Sequence, residues 1–293
     1  MNICVWTDAD LDGACSNLLL KWLFKGVKLT TKVTTAKKFN NEFPAWYDLN
    51  KSEFDKIFIC DLDCSGSMDS VDHTGIVIID HHESHFDLRD KYEYAKVIVC
   101  DMTSTAMIIY NEWRDDLKLT REQQLLVRIV DDYDSYTLQY GEITTNLNKM
   151  FWQYTGDRCQ KFADDFAEGF AGFTRLQQNS INLYDKRIKD TLRTMEVAAA
   201  DVPIGSHTQF VVAGVSDFGI NDIAVHLLKE YDADIAIIVN PKSGTVSFRR
   251  ATDCVTPLHT LAATLAEGGG HAAAAGGKIT DTFLEFTKIL KNV

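Results

Sequence analysis

Ile76-Val77-Ile78-Ile79 runs directly into Asp80-His81-His82. Four consecutive β-branched residues make a strand without a polar face, and such a strand is buried on both sides. The acid and two imidazoles at its carboxyl end are then the first groups a ligand can reach. The same pattern recurs earlier in the chain. Ile57-Phe58-Ile59-Cys60 is followed by Asp61-Leu62-Asp63, and Asn2-Ile3-Cys4-Val5-Trp6-Thr7 by Asp8-Ala9-Asp10-Leu11-Asp12-Gly13. Val97-Ile98-Val99-Cys100 reads as a further buried strand, and residues 28–34 alternate as a strand rich in β-branched residues. Between them, residues 13–25 place Leu18, Leu19, Trp22 and Leu23 at helical spacing, and residues 104–113 and 121–131 also read as helices. Strands alternating with helices predict an α/β fold, a parallel sheet with helices on both faces.

Farther along, residues 142–200 contain no proline and three glycines, which predicts helix throughout, ending in Val197-Ala198-Ala199-Ala200. Pro203 and Gly205 then break the chain. A smaller α/β unit is expected beyond them, with a strand at 210–213 and a helix at 220–230. Strands at 235–239 and 245–249 are expected to be joined by a hairpin at Pro241 and Gly244. A helix at 257–266, a glycine-rich loop and a last helix at 282–291 complete it. The expected division is a first domain over residues 1–180, a helical linker over 181–204 and a second domain over 205–293.

Apolar residues make up 45% of the chain and charged residues 25%, the balance of an ordinary globular protein. No stretch approaches the ~20 apolar residues that a spanning helix needs, and no leader is read at the start. The seven cysteines are scattered through apolar segments. Cys60 and Cys64 have no second pair to complete a zinc site, so all are read as reduced core thiols. A cytoplasmic location away from membranes is the corresponding expectation. A net charge of −12 argues against a clamp for long duplexes, which needs a basic face. It suits a small substrate or a strand end, with acids gathered around cations.

Four acidic clusters fall at the ends of core elements, where open α/β sheets bind ligands. In Asp8-x-Asp10-x-Asp12 alternate residues of an extended segment share a face, and three carboxylates there repel one another unless a cation intervenes. The string also resembles the start of a calcium loop, but a strand precedes it and Leu19 stands where the loop needs Glu. Asp61 alone is an ordinary loop acid. Asp80-His81-His82 offers the carboxylate and imidazoles that suit Mn, Zn or Fe, with His85 a bystander. Asp131-Asp132-Tyr133-Asp134 closes a helix whose dipole disfavours acids at that end. Together they are what a pair of cations requires to clamp a phosphate and activate water.

With these residues in order, the chain resembles the DHH phosphoesterase superfamily. Gly268-Gly269-Gly270-His271-Ala272 with Ala274-Ala275-Gly276, and Ser247-Phe248-Arg249, are similar to its associated C-terminal domain, and Ser104-Thr105-Ala106 to a helix start common in the family. The resemblance implies two divalent cations, Mn first and Mg second. It implies Asp10, Asp12, Asp61, His81 and Asp132 as ligands, with Asp61 bridging and Asp131 a rival to Asp132. Asp80 would orient His81, and His82 would face the scissile phosphate. Arg249, Gly269, Gly270 and His271 would bind substrate, the glycines through exposed backbone N–H groups. Members acting on small phosphates and oligonucleotides usually carry histidine where this chain has Trp6, which disfavours a pyrophosphatase. Asp8 instead gives the triple-acid string of RecJ-type exonucleases, filling the missing coordination or standing behind it. The expected activity is hydrolysis of short oligonucleotides or single-stranded nucleic acid from an end to nucleoside monophosphates. Alternatives are a RecJ-like exonuclease, a phosphatase or phosphodiesterase for 3′-phosphoadenosine 5′-phosphate or cyclic dinucleotides, and an inactive scaffold. A homodimer is compatible with all of them.

Overall fold

A computed structural model describes residues 1–101 and 103–292, and the chain divides into two compact units, Met1–Ile181 and Asn182–Val293. In the first unit β1 (Asn2–Asp8), β2 (Lys28–Thr34), β3 (Lys56–Cys60), β4 (Ile76–Asp80) and β5 (Lys96–Val99) form one sheet in the order β2-β1-β3-β4-β5. Every neighbouring pair is parallel. The apolar runs are explained by two cores, one on each face of this sheet. Ile3, Val5, Phe58, Cys60, Val77 and Ile79 point into one, beneath the helices Leu11–Leu23, Thr105–Glu112 and Arg121–Asp134. Cys4, Trp6, Ile57, Ile59, Ile76 and Ile78 point into the other, covered by the helix Ala36–Asn50. With both faces dry, only the strand ends are free to carry chemistry.

The strand order also chooses which ends. The chain leaves β1 for β2 on one side and returns to the other side for β3. Two successive connections therefore diverge between β1 and β3, opening a crevice at their carboxyl ends. The turn out of β1 is tight enough to require glycine, since a Cβ on Gly13 would stand 2.4 Å from the carbonyl oxygen of Asp8. Thr7 Oγ1 donates 2.7 Å to the Gly13 carbonyl and fixes that turn from beneath.

In the second unit β6 (Val197–Ile204), β7 (His207–Val215), β8 (Ile235–Asn240), β9 (Thr245–Arg250), β10 (Gly269–Gly270), β11 (Ala274–Lys278) and β12 (Lys291–Asn292) form a mixed sheet. Its order is β10-β11-β9-β8-β7-β6-β12, with only β7 and β8 parallel. The α/β class and the parallel first sheet are as the sequence predicts. Several elements differ. Residues 142–200 are not helical throughout: helices Glu142–Gln153, Arg158–Asp165 and Arg175–Thr194 are followed by β6. The alanines of β6 favour helix locally, but pairing with β7 across the turn at Gly205 overrides that preference. The stretch expected as a helical linker is therefore shared between a helix end and a strand. The glycine-rich loop contains β10 and β11, and the last helix stops at Thr287, before β12. The helix Ala36–Asn50 had no sequence counterpart, because Pro44 lies inside it. No helix among the described residues is long and apolar enough to cross a membrane. All seven cysteines are free thiols, six of them buried.

Candidate metal centre at the strand ends

Each acidic cluster is aimed by its local backbone. Asp10 caps the helix Leu11–Leu23, accepting 2.9 Å from the Gly13 N–H through Oδ1. Asp12, in the first turn of that helix, is 1% exposed. Its carboxylate takes the N–H groups of Thr105 (2.7 Å) and Ala106 (2.9 Å), the positive end of the helix Thr105–Glu112. Asp61 follows β3 in the left-handed region, φ +58°, a conformation that costs an ordinary residue about 1–3 kcal/mol. That turn aims its carboxylate back at the sheet, with Oδ1 3.5 Å from Thr105 Oγ1. Oδ2 of Asp61 is buried with no hydrogen-bond partner.

His81 lies between two acids. Its Nε2 is 3.3 Å from Asp61 Oδ1, and its Nδ1 is 3.4 Å from Asp134 Oδ2. Asp134 Oδ2 is itself buried without a hydrogen bond. Two sets of side chains bring ligand atoms within 4.8 Å of one another, Asp61 with His81 and His82, and Asp12 with His81 and Asp134.

The structure sets Asp134, rather than Asp132 or Asp131, against His81. The Asp132 carboxylate is consumed by the loop that follows its helix. It accepts from Thr137 Oγ1 (2.5 Å), Thr144 Oγ1 (2.5 Å), Gln139 N (2.7 Å) and Tyr140 N (3.0 Å). Burial raises its pKa, but these donors outweigh burial and hold the carboxyl below its ordinary range. Asp131 is likewise occupied, accepting from Thr103 Oγ1 (2.6 Å) and Ser104 N (2.8 Å).

Asp80 is also placed differently from expectation. It holds His82, not His81: Oδ1 meets His82 Nδ1 at 2.7 Å, while Oδ2 meets His85 Nδ1 at 2.5 Å. Burial raises the Asp80 carboxyl, but the two imidazoles bring it well below the usual range. Burial lowers His82, yet the Asp80 hydrogen bond and charge, with Asp63 and Asp10 behind, raise it to about 9. Trp6 sits in an aromatic cluster with Phe39, Phe43 and Trp46, at centroid distances of 5.3, 5.7 and 5.1 Å. Asp8 lies two residues on along β1, on the same strand face.

The acids press on one another. Burial first and the charge of Asp10 second raise Asp8 and Asp134 to about 7. Burial and neighbouring carboxylates push Asp12 and Asp61 well above their ordinary range. Unpartnered buried oxygens on Asp61 and Asp134, set beside an imidazole and Asp12, form a donor set that fits divalent cations. Such carboxyls keep protons in the folded state that the unfolded chain releases near pH 4. Their contribution to stability is therefore greatest at low pH and declines as pH rises from about 4 to about 7. In chelator the melting temperature should fall across that window, and manganese should raise it more at the alkaline end. Melting curves that ignore both pH and manganese would contradict this.

In the second unit, Arg249 on β9 is bound by Asn221 Oδ1 through Nε (3.0 Å) and Nη2, and its Nη1 donates to the Phe248 carbonyl (2.8 Å). These bonds fix the plane of the guanidinium. Two of the glycines serve close packing: a Cβ on Gly268 would lie 1.9 Å from the Gly276 carbonyl oxygen, and on Gly270 2.7 Å from that of Ala274, while one on Gly269 would meet nothing within 4 Å. The N–H groups of Gly268 and His271 are bonded to the carbonyls of Ala262 and Ala274.

The first unit is an open parallel sheet with acids and imidazoles gathered at its switch point. Residues 2–131 match the DHH family, N-terminal domain. Over 98% of its length it is similar to PggH of Vibrio cholerae, a pGpG-specific phosphodiesterase, with 14% identity, 96% of that chain covered and a TM-score of 0.59. Over the same share it is similar to exonuclease RecJ bound to manganese (12% identity, 88% of that chain, TM-score 0.55). An exopolyphosphatase-related protein of Bacteroides fragilis is also similar over 98% (16% identity, 89% of that chain, TM-score 0.51). At these identities the likeness is one of fold. No curated protein sequence matches the chain.

Proposed function

We propose that the protein is a metal-dependent phosphodiesterase that cleaves short oligonucleotides from an end to nucleoside monophosphates. The observation that carries this reading is the pair of orphaned carboxylate oxygens, on Asp61 and Asp134, flanking His81 beside Asp12. Asp12, Asp61, His81 and Asp134 would hold two divalent cations, Mn or Mg, with Asp8 and Asp10 adjoining. When bound, these cations would offset phosphate charge and activate water.

The chain's own groups do the rest. Asp80 holds Nδ1 of His82 and leaves Nε2 as the nitrogen turned away from it. With its pKa at about 9, His82 carries that second proton at neutral pH. It can donate to a phosphate oxygen or to the departing oxygen as negative charge builds there. The water-free cores beneath the strands keep the carboxylates aimed upward. Arg249 and His271 of the second unit are proposed as anion-binding groups. Arg249→Ala is expected to raise KM at least tenfold and leave bound metal unchanged. An unaltered KM would remove Arg249 from substrate binding.

Similarity to a phosphodiesterase of a dinucleotide over nearly the whole of both chains supports a short substrate. A single-strand exonuclease is the second reading, favoured by Asp8 at the end of β1. A panel running from dinucleotides to long single strands, with Mn, with Mg and in chelator, separates the two. Preference for the shortest members supports the first reading, and turnover rising with length supports the second. Undiminished turnover in chelator would overturn both.

A further inference from the structure

His85 is wholly buried, and so are Asp80 and Cys64, the residues its ring nitrogens bond; Asp63 Oδ1 stands farther off, 3.9 Å from Nε2. Its Nδ1 lies 2.5 Å from Asp80 Oδ2, and its Nε2 lies 3.3 Å from both the backbone nitrogen and Sγ of Cys64. The arrangement resembles a nucleophile triad, but no substrate can reach a thiol with no exposed surface, and burial pushes that thiol's pKa up. Its logic is instead one of direction. A backbone N–H can only donate, so the Cys64 N–H makes His85 Nε2 an acceptor. The ring proton must then sit on Nδ1, where it is donated to Asp80 Oδ2. That bond fixes one oxygen of Asp80, and the carboxylate plane places the other 2.7 Å from His82 Nδ1.

We propose that His85 is a positioning residue, which with Cys64 locks the Asp80 carboxylate so that Asp80 holds His82 by its Nδ1–H in one orientation. The proposal deepens the phosphodiesterase reading and rests on it for its kinetic consequence, but the chain of bonds is testable without any turnover. His85 differs from a simple core histidine because both ring nitrogens are committed and its partner carries the side chain placed nearest the reacting phosphate.

The test begins with the native, metal-free protein labelled with 15N histidine. Long-range nitrogen–proton correlations should show His85 with its proton on Nδ1, and a hydrogen-bonded Nδ1–H on His82. A proton on Nε2 of His85 overturns the proposal outright. Two substitutions of similar polarity then separate positioning from bulk. His85→Asn keeps a donor near the Nδ1 position, whereas His85→Gln moves the amide to the Nε2 position and loses Asp80. The expected result is that His85→Asn retains the His82 Nδ1–H signal and a kcat within a few-fold of wild type. His85→Gln should lose the signal and about 10–100-fold in kcat, with KM and bound manganese unchanged. Equal kcat in the two variants, or an intact His82 signal in His85→Gln, would overturn the proposal. Inactive wild-type protein with the expected tautomers would instead count against the phosphodiesterase reading alone.

Discussion

Asp61→Asn is expected to make the metal-free protein more stable and the enzyme inactive. Asp61 is 2% exposed, its Oδ2 has no partner, and Asp10, Asp12 and Asp134 all press their charge upon it. An amide of the same shape removes that repulsion. Asparagine also tolerates the φ of +58° at this position better than most residues, so the backbone need not shift. The melting temperature in chelator should rise by a few degrees. Turnover should fall about 10³-fold or more, because the oxygen lost is the one proposed to bridge two cations. Asp61→Ala, lacking both the amide and that conformational tolerance, should lose activity without the gain in stability. If Asp61→Asn melted earlier than wild type in chelator, the buried repulsion argued here would be absent.

The neighbouring acids Asp132 and Asp134 should respond in opposite ways. Asp132 anchors a loop in which Tyr136, Leu138 and Gly141 all have positive φ. Two hydroxyls and two N–H groups end on its carboxylate, and without it the buried Thr144 hydroxyl has no acceptor and the loop loses the three other bonds that hold its turns. Asp132→Ala should therefore cost about 3 kcal/mol or more in stability, while the protein still binds manganese below its melting temperature. Asp134→Asn should cost no stability in chelator, because an orphaned, raised carboxyl is replaced by a neutral group. It should lose manganese and activity instead. Chemical denaturation and metal titration of the pair decide the matter, and the reverse pattern would return Asp132 to the centre.

Such pairs show where sequence reading ran out. The first sheet was legible because burial on both faces leaves an unmistakable residue: unbroken runs such as Ile76–Ile79, each ending in acids. Strand ends are a fixed place in a parallel sheet, so the clusters that contain Asp12, Asp61 and His81 could be brought together from sequence, while the choice of these residues as ligands came from the family resemblance. Asp132 and Asp134 lie in one helix turn, and which of them faces the sheet depends on the helix's rotation, which the string Asp-Asp-Tyr-Asp does not encode. The partner of Asp80 depended on the turn after β4, which brings His82 and His85 rather than His81 to its carboxylate. Alanine-rich β6 was hidden for a different reason, since only its pairing with β7 makes it a strand. The glycines near β10 were noticed for their freedom; close contact with β11 explains Gly268 and Gly270, whereas a Cβ on Gly269 would meet nothing within 4 Å.

The central claim is that Asp12, Asp61, His81 and Asp134 hold divalent cations where β1 and β3 part. Anomalous diffraction from manganese-soaked crystals tests it most directly. The account predicts two manganese ions about 3.5–4 Å apart touching these four side chains, and their loss in Asp61→Asn. Saturating manganese that leaves these side chains unliganded, in protein that still hydrolyses phosphodiesters, would contradict it.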